Sequence, residues 1–558
     1  MKITTLAGLL GLLVLGCHDS EPSPSGIIQF ENDRSPSELP PGNVGDVERN
    51  RDPVPMLEPS PEADPLVSRD GMSERDEHQP QFTQAIENAF FANPNLFPII
   101  PIRIVASDAR GVSIHLDDQQ VDAQWLNEQW VAHLDISGLD DAAYRIEAIT
   151  HEGSVTSGWL TIRRGGLQFT DYDQVGSART PRLHRVGQAL YATWGDSSAT
   201  PRGAWLQALD GSGQTIGEQI RITPEGVDCL AARVMVAGEH LAVLYQVNTR
   251  PYSNYLHVID FDGQTILAPM ALDSESRNGS HGGDITFDGS AFIAVWREAN
   301  GPRDSRIRWI RIAPKTGQIT GPITITTAGD DDPEGRFLPV TTLRVEAKGN
   351  QSLVTFNRGY HDPVLAVNVQ RNYAVFVDSQ GQIGAEEFLP TPGVFYPFGF
   401  EAHVHRLYNE FLVLWTSSDL ADPGENSSLR IFGARVAPED HQTPAHFDST
   451  LMVNGPEARG EPFILEHPSE HALMAWTDNR SKEGDRLNGQ IELTYAYASA
   501  DLTLSPIQTI GHARFIEGTA QVRGVNVGTN TILSWVDERH GSGILAPKPE
   551  VYLETIWR

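Results

Sequence analysis

Residues 473–480 read LMAWTDNR, and residues 532–539 read ILSWVDER. Each line has two apolar residues, a small one, Trp, a spacer, Asp, a spacer and Arg. The line recurs more loosely upstream, as LYATWGD at Trp194, LAVLYQV at Tyr245, FIAVWRE at Trp296, SLVTFNR at Phe356 and FLVLWTS at Trp415. The steps between successive aromatics are 51, 51, 60, 59, 61 and 59 residues. Self-similarity at a nearly fixed period is the signature of a repeat architecture. A second marker keeps the same register: SGQTI (Gly213), DGQTI (Gly263), TGQIT (Gly317) and QGQIG (Gly381) follow the aromatics by about twenty residues. These are hairpin turns, in which Gly supplies a positive φ.

Each repeat reads as four strands. The second carries the aromatic in an apolar run, as a strand buried on both faces does, and the third and fourth flank the Gly-Gln turn. Four-stranded units of this length, each covering its neighbour's face, predict an all-β, seven-bladed β-propeller over residues 166–558. The last repeat lacks a fourth strand, and residues 166–176 resemble one, so they are expected to close the ring and remove an exposed edge. First strands should line the central channel. The period exceeds that of WD40 repeats, and the paired glycines of kelch repeats are missing. The chain resembles the broad class of secreted bacterial propellers and no named family within it. Trp476 and Trp535 are expected to pack between blades.

Upstream, VSIHLDDQQV and YRIEAITHEG alternate apolar with polar residues, the period of half-buried strands. The segment WVAHLDISGLDDAAYRIEAI is similar to bacterial Ig-like domains, with Ala142 and Ala143 where that pattern has Gly. The resemblance implies a small β-sandwich over 98–165. Residues 18–82 are rich in Pro, Ser, Asp and Glu, too poor in apolar side chains to offset the entropy of ordering, and read as an acidic tether. The chain opens with Lys2 and an apolar run that ends in VLGC. That run is too short to span a bilayer and reads as a secretory signal over 1–17. VLGC resembles the lipobox of bacterial lipoproteins, which implies a lipidated Cys17 and a stable membrane anchor. His18 in place of the inner-membrane Asp signal points to the outer membrane. Cys229 is the only other cysteine, so no internal disulfide is expected once Cys17 is acylated. The net charge of -31 argues against nucleic-acid partners. A monomer without a cofactor is expected.

No GxSxG elbow, HExxH, Walker loop, zinc spacing or Asp-box turn appears. His403 and His405 stand two apart on a predicted first strand, and His184 holds the equivalent place in the first repeat, ten residues before its Trp. Together they are candidate metal ligands, against the alternative of histidines satisfied by backbone carbonyls. The loops entering the first strands repeatedly hold Arg, giving a candidate anion-binding mouth of Arg179, Arg277, His281, Arg336, Arg459 and Arg514, with Arg182 beside Arg179. The loops after the aromatic strands add Arg202, Arg250, Arg358, Arg480 and Arg539. These features lead to the expectation of a non-enzymatic binding or adhesion lipoprotein that recognises a glycan or an envelope protein. The alternatives are a polysaccharide hydrolase or lyase at the channel mouth, which a glycosidase would need to supply with paired carboxylates about 5 to 10 Å apart, and an outer-membrane assembly scaffold.

Overall fold

A computed structural model describes residues 79–85, 88–170, 178–196, 201–272, 280–299, 305–314, 316–328, 343–362, 367–389, 397–408, 410–419, 429–436, 450–453, 459–466, 471–478, 490–514, 522–537 and 550–557, with some strand-end side chains excepted. Cys17 lies outside them, as do Arg277, Arg336, Arg480 and Arg539. The described residues are organised entirely by β-sheets, eight of four strands and one of five. None forms a helix long and apolar enough to cross a membrane.

The first two sheets face one another across a shared core. One orders Gln81–Phe82, Ile99–Val105, Gln129–Asp135 and Gln124–Leu126; the other orders Ala89–Ala92, Val155–Ile162, Ala143–Thr150, Val112–Leu116 and Gln119–Asp122. Ile100, Ile102 and Ile104 alternate inward along one strand and meet Ile114, Ile146 and Leu160 of the other sheet, the period-2 pattern of a half-buried strand. Two of these strands, Gln81–Phe82 and Ala89–Ala92, lie N-terminal to residue 98.

The remaining seven sheets follow one another along the chain, and in each the first strand of a repeat pairs with the second, the second with the third and the third with the fourth. The first strands are Ala178–Val186, Cys229–Ala237, Ser280–Phe287, Arg344–Lys348, Pro397–Leu407, Arg459–Glu466 and Arg523–Val527. The second strands carry the seven aromatics, all buried: Trp194, Tyr245, Trp296, Phe356, Trp415, Trp476 and Trp535. The seventh sheet takes its fourth strand from upstream, where Leu167 and Gln168 pair with Leu553 and Tyr552 of Glu550–Ile556.

The packing explains why the aromatic recurs. Each apolar cluster is shared by consecutive sheets. Tyr245 of the second sheet meets Ala204 and Leu206 of the first, and Trp296 of the third meets Leu244 and Val258 of the second. Trp476 of the sixth meets Leu412 and Ile431 of the fifth, and Leu183 and Trp194 of the first meet Val527, Ile532 and Leu553 of the seventh. First strands likewise touch the first strands of both neighbours all the way round. The fold is therefore all-β and propeller-like. The Gly-Gln turns have the expected backbone: φ is +78° at Gly213, +78° at Gly263, +68° at Gly317 and +84° at Gly381.

Candidate active site

Along each first strand, alternate residues divide between two environments. Leu183, Val234, Ile285, Val345, Val404 and Ile464 join the clusters between sheets. The residues beside them belong to the other face. One position is equivalent in all seven sheets, the residue paired with the one just before the aromatic. It is Arg182, Arg233, Asp284, Arg344, His403, Phe463 and Arg523, opposite Thr193, Leu244, Val295, Thr355, Leu414, Ala475 and Ser534. Two residues further along, a second tier holds His184, Met235, Thr286, Glu346, His405, Leu465 and Val525. Five first strands carry a bulge just before this tier pair, at Arg179/Arg182, Cys229/Ala231, His281/Gly283, Phe400/Ala402 and Gly460/Phe463. Bulges re-aim side chains and cluster near active sites.

The two tiers interact across strands. Arg182 Nη2 donates to Asp284 Oδ1 at 3.1 Å, and the Val345 amide donates to Asp284 Oδ2 at 3.2 Å. Burial works to raise the Asp284 pKa, but Arg182, Arg344, Arg233 and that amide outweigh it and hold the carboxyl below its ordinary range. Thr286 Oγ1 donates to Glu346 Oε1 at 3.1 Å. Burial pushes Glu346 up to about 7, helped by the Asp284 charge and opposed by the Thr286 hydroxyl, Arg406 and the Ala347 amide. Asp284 and Thr286 are two apart on one strand, a same-face spacing of about 6.5 Å. Thr286 touches Glu346, and the Asp284 charge acts on the Glu346 carboxyl, so the two acids face the same space on neighbouring first strands. One is pushed toward its ionised form and the other toward its protonated form, the pattern of a general acid and its carboxylate partner.

His403 and His405 stack with ring centroids 6.3 Å apart, and Phe463 meets His405 edge-on. Burial, then His403, Arg523 and Arg344, hold His405 neutral, well below its ordinary pKa, and the Pro462 carbonyl accepts a hydrogen bond from its ring. His184 bonds Thr193 Oγ1 at 3.0 Å, and burial with Arg182 lowers it to about 3. Among the described residues no three His, Cys, Asp or Glu side chains gather as metal ligands.

The loop arginines are placed differently. Arg179 and Arg459 begin first strands, His281 lies on the third sheet's first strand, and Arg514 closes a fourth strand. The side chains of these four lie outside the described residues. Arg202 holds Asp228 through Nε at 2.9 Å and Nη2 at 3.1 Å, and depresses that carboxyl strongly. Arg358 ties the fourth strands of two sheets, donating to Glu386 Oε2 at 2.8 Å and Thr327 O at 3.0 Å. Arg250 lies over the Tyr252 ring at 5.8 Å. The reading from loop composition missed the ring arginines apart from Arg182. Their signal is a position twelve residues before the aromatic, or thirteen in the sixth repeat.

No family model matches the chain, and no curated protein matches it. Among solved structures, an α-L-arabinanase of Penicillium chrysogenum is 10% identical with a TM-score of 0.39, over 59% of this chain and 93% of that one. The GH93 α-L-arabinofuranosidase of Fusarium graminearum is 10% identical with a TM-score of 0.39, over 60% and 95%. A polysaccharide lyase of family PL25, an ulvan lyase, is 8% identical with a TM-score of 0.41, over 68% and 94%. The expectation of a non-enzymatic binding or adhesion protein is corrected here. These three structures are an arabinanase, an α-L-arabinofuranosidase and a polysaccharide lyase, and the sequence offered no means of pairing acids that only the fold brings together.

Proposed function

We propose that this chain is a polysaccharide-cleaving enzyme whose reaction centre is the ring of first strands, and that it is a glycoside hydrolase. The observation that carries the reading is the Asp284–Glu346 pair, two carboxyl groups on neighbouring first strands whose pKa values are pushed apart, Asp284 below its ordinary value and Glu346 up to about 7. Glu346 donates its proton to the glycosidic oxygen as the C–O bond breaks. Asp284, ionised, stabilises the positive charge that develops on the sugar ring and serves as the base or nucleophile of the pair. Elimination is the second reading, favoured by the guanidinium groups around the pair and the neutral His405. The two differ in product, since hydrolysis adds water and elimination leaves an unsaturated sugar.

The architecture we propose around this site is a seven-bladed propeller closed by the strand at 167–168, preceded by an Ig-like sandwich. Support comes from the clusters shared between consecutive sheets and between the seventh and the first, and from the two-sheet core upstream. We also propose lipidation at Cys17 after export, with residues 18–78 as the tether, since Gln81 and Phe82, which the sequence reading placed in it, form a strand of the two-sheet core.

The test is release of reducing ends from a panel of neutral and acidic polysaccharides by the full chain, by Glu346→Gln and by Asp284→Asn. At least one polymer should be cut, with activity lost in both variants while their melting temperatures show a folded protein. Cleavage that survives both substitutions would place the reaction elsewhere.

A further inference from the structure

We infer that the ring takes a sugar bearing a carboxylate, a hexuronate unit, gripped by Arg233 and Arg344 with Arg523 beside them. This rests on the reading of the ring as a cleavage site and adds the substrate class to it. At the equivalent first-strand position, four of seven sheets supply a guanidinium and one a carboxylate, Asp284. Leaving His403 aside, that tier carries 4 − 1 = +3 in a chain whose net charge is -31. The one carboxylate is already engaged by Arg182 and the Val345 amide.

Arg233 and Arg344 form no ion pair among the described residues. Arg233 Nη1 donates to the Ala232 carbonyl at 3.5 Å and Arg344 Nη1 to the Leu343 carbonyl at 3.0 Å. Each guanidinium has five N–H donors in a planar fork, so most of that capacity remains for a ligand. Both side chains are half-buried, as is Glu346. Holding like charges this close is costly, and the strain shows at Arg233, where burial and then Arg344 and Arg182 lower the guanidinium to about 10. A planar carboxylate relieves it and matches the fork in two parallel bonds. The acidic remainder of the molecule repels an anionic polymer, but at physiological salt screening confines that repulsion to about 8 Å, so short-range contacts at the ring decide. On a hexuronate the carboxylate is one bond from the sugar ring, which keeps the glycosidic oxygen within reach of Glu346 while the arginines hold the acid group.

Calorimetry on the full chain carrying Glu346→Gln, which slows turnover, tests this. The probes are short oligosaccharides of glucuronate, galacturonate and mannuronate, and the same oligosaccharides with the carboxyl groups reduced to alcohols. At least one acidic oligosaccharide should bind about 10- to 100-fold more tightly than its reduced counterpart. Adding Arg344→Gln or Arg233→Gln should erase that advantage by weakening the acidic oligosaccharide far more than its reduced counterpart, and Arg344→Lys should restore part of it. Equal or tighter binding of every reduced oligosaccharide overturns the inference, as does an acid preference untouched by both arginine substitutions. Should either variant fail to fold, the acid-against-reduced comparison in the Glu346→Gln chain decides alone. Cleavage of a neutral polymer with no acid preference sinks the substrate class and spares the enzyme. Arginine-dependent binding of a hexuronate that the unsubstituted chain never cuts does the reverse.

Discussion

Asp284 and Glu346 are both acids on inner strands, yet their proton affinities are pushed in opposite directions because their partners differ. Asp284 receives an arginine and an amide. Glu346 receives a neutral hydroxyl, with Asp284's negative charge adding to its burial. Asp284→Asn removes the ionised partner and should lower turnover by about 10²-fold or more. It should also loosen the junction with Arg182, which loses a charge-assisted bond worth about 1.5–3 kcal/mol. Turnover and thermal melting of the same variant measure both effects. These residues were visible in the sequence as letters but not as a site. RLHRV around His184 and RVEAK around Glu346 read as ordinary alternating strands. Nothing local tells an exposed polar face from one turned toward six other strands. The histidines drew notice for their spacing. The arginines drew notice in loops, where Arg202 and Arg358 proved to be pinned by Asp228 and Glu386.

Elements are held by devices that repeat with the period. In three Gly-Gln turns an Asp side chain caps the loop. Asp260 Oδ1 accepts from the Asp262 amide at 3.0 Å and the Gln264 amide at 2.8 Å, and Asp210 and Asp378 do the same for Ser212, Gln214, Gln380 and Gln382. Asp260→Ala should cost about 1 kcal/mol of stability, read as a shift of the denaturant midpoint. These turns were legible from the sequence because their chemistry is local. The contact between the two-sheet core and the seventh sheet was not, because its residues are hundreds of positions apart. There Asn93 Nδ2 donates to Glu554 Oε2 at 2.9 Å and Trp557 Nε1 donates to the Phe91 carbonyl at 3.2 Å. Burial raises Glu554 to about 8, with the Asn93 bond and the Thr555 amide opposing. The folded state therefore keeps this proton while the unfolded chain, with an ordinary value of 4.5, releases it. Stability from this group is full below about pH 4.5 and declines as pH rises to about 8. Glu554→Gln keeps an acceptor for Asn93 and removes the titration. Its melting temperature should exceed that of the unsubstituted chain at pH 8, by a difference on the order of 2–4 kcal/mol in stability, and the two should converge near pH 4.

At the scale of the molecule the period was the most legible feature, since seven buried aromatics fall where the count places them. Closure depends on a short segment. The Phe169 amide donates to the Val551 carbonyl at 2.8 Å, the Val551 amide donates to Thr170 Oγ1 at 2.8 Å, and the Phe169 ring meets Trp194 edge-on at 5.2 Å. Phe169→Pro removes the donor and the ring together, and a marked fall in melting temperature with aggregation is expected. An unchanged melt would mean that the strand adds nothing to the seventh sheet. For the proposed anchor, Cys17→Ser should move the exported protein from membranes to the soluble fraction, and retention on membranes would contradict lipidation there.

The central claim, a carboxyl pair at the ring cutting an acidic polysaccharide, is tested most directly by the pH dependence of reducing-end release by the full chain and by Glu346→Gln. Glu346 must be protonated to act as the acid, and its pKa, set by burial, Asp284, Thr286 and Arg406, is about 7. The rate should fall as pH rises through about 7 in the unsubstituted chain, and the variant should be at least about 10²-fold slower with that limb gone. A Glu346→Gln chain that keeps both the rate and the limb would contradict it.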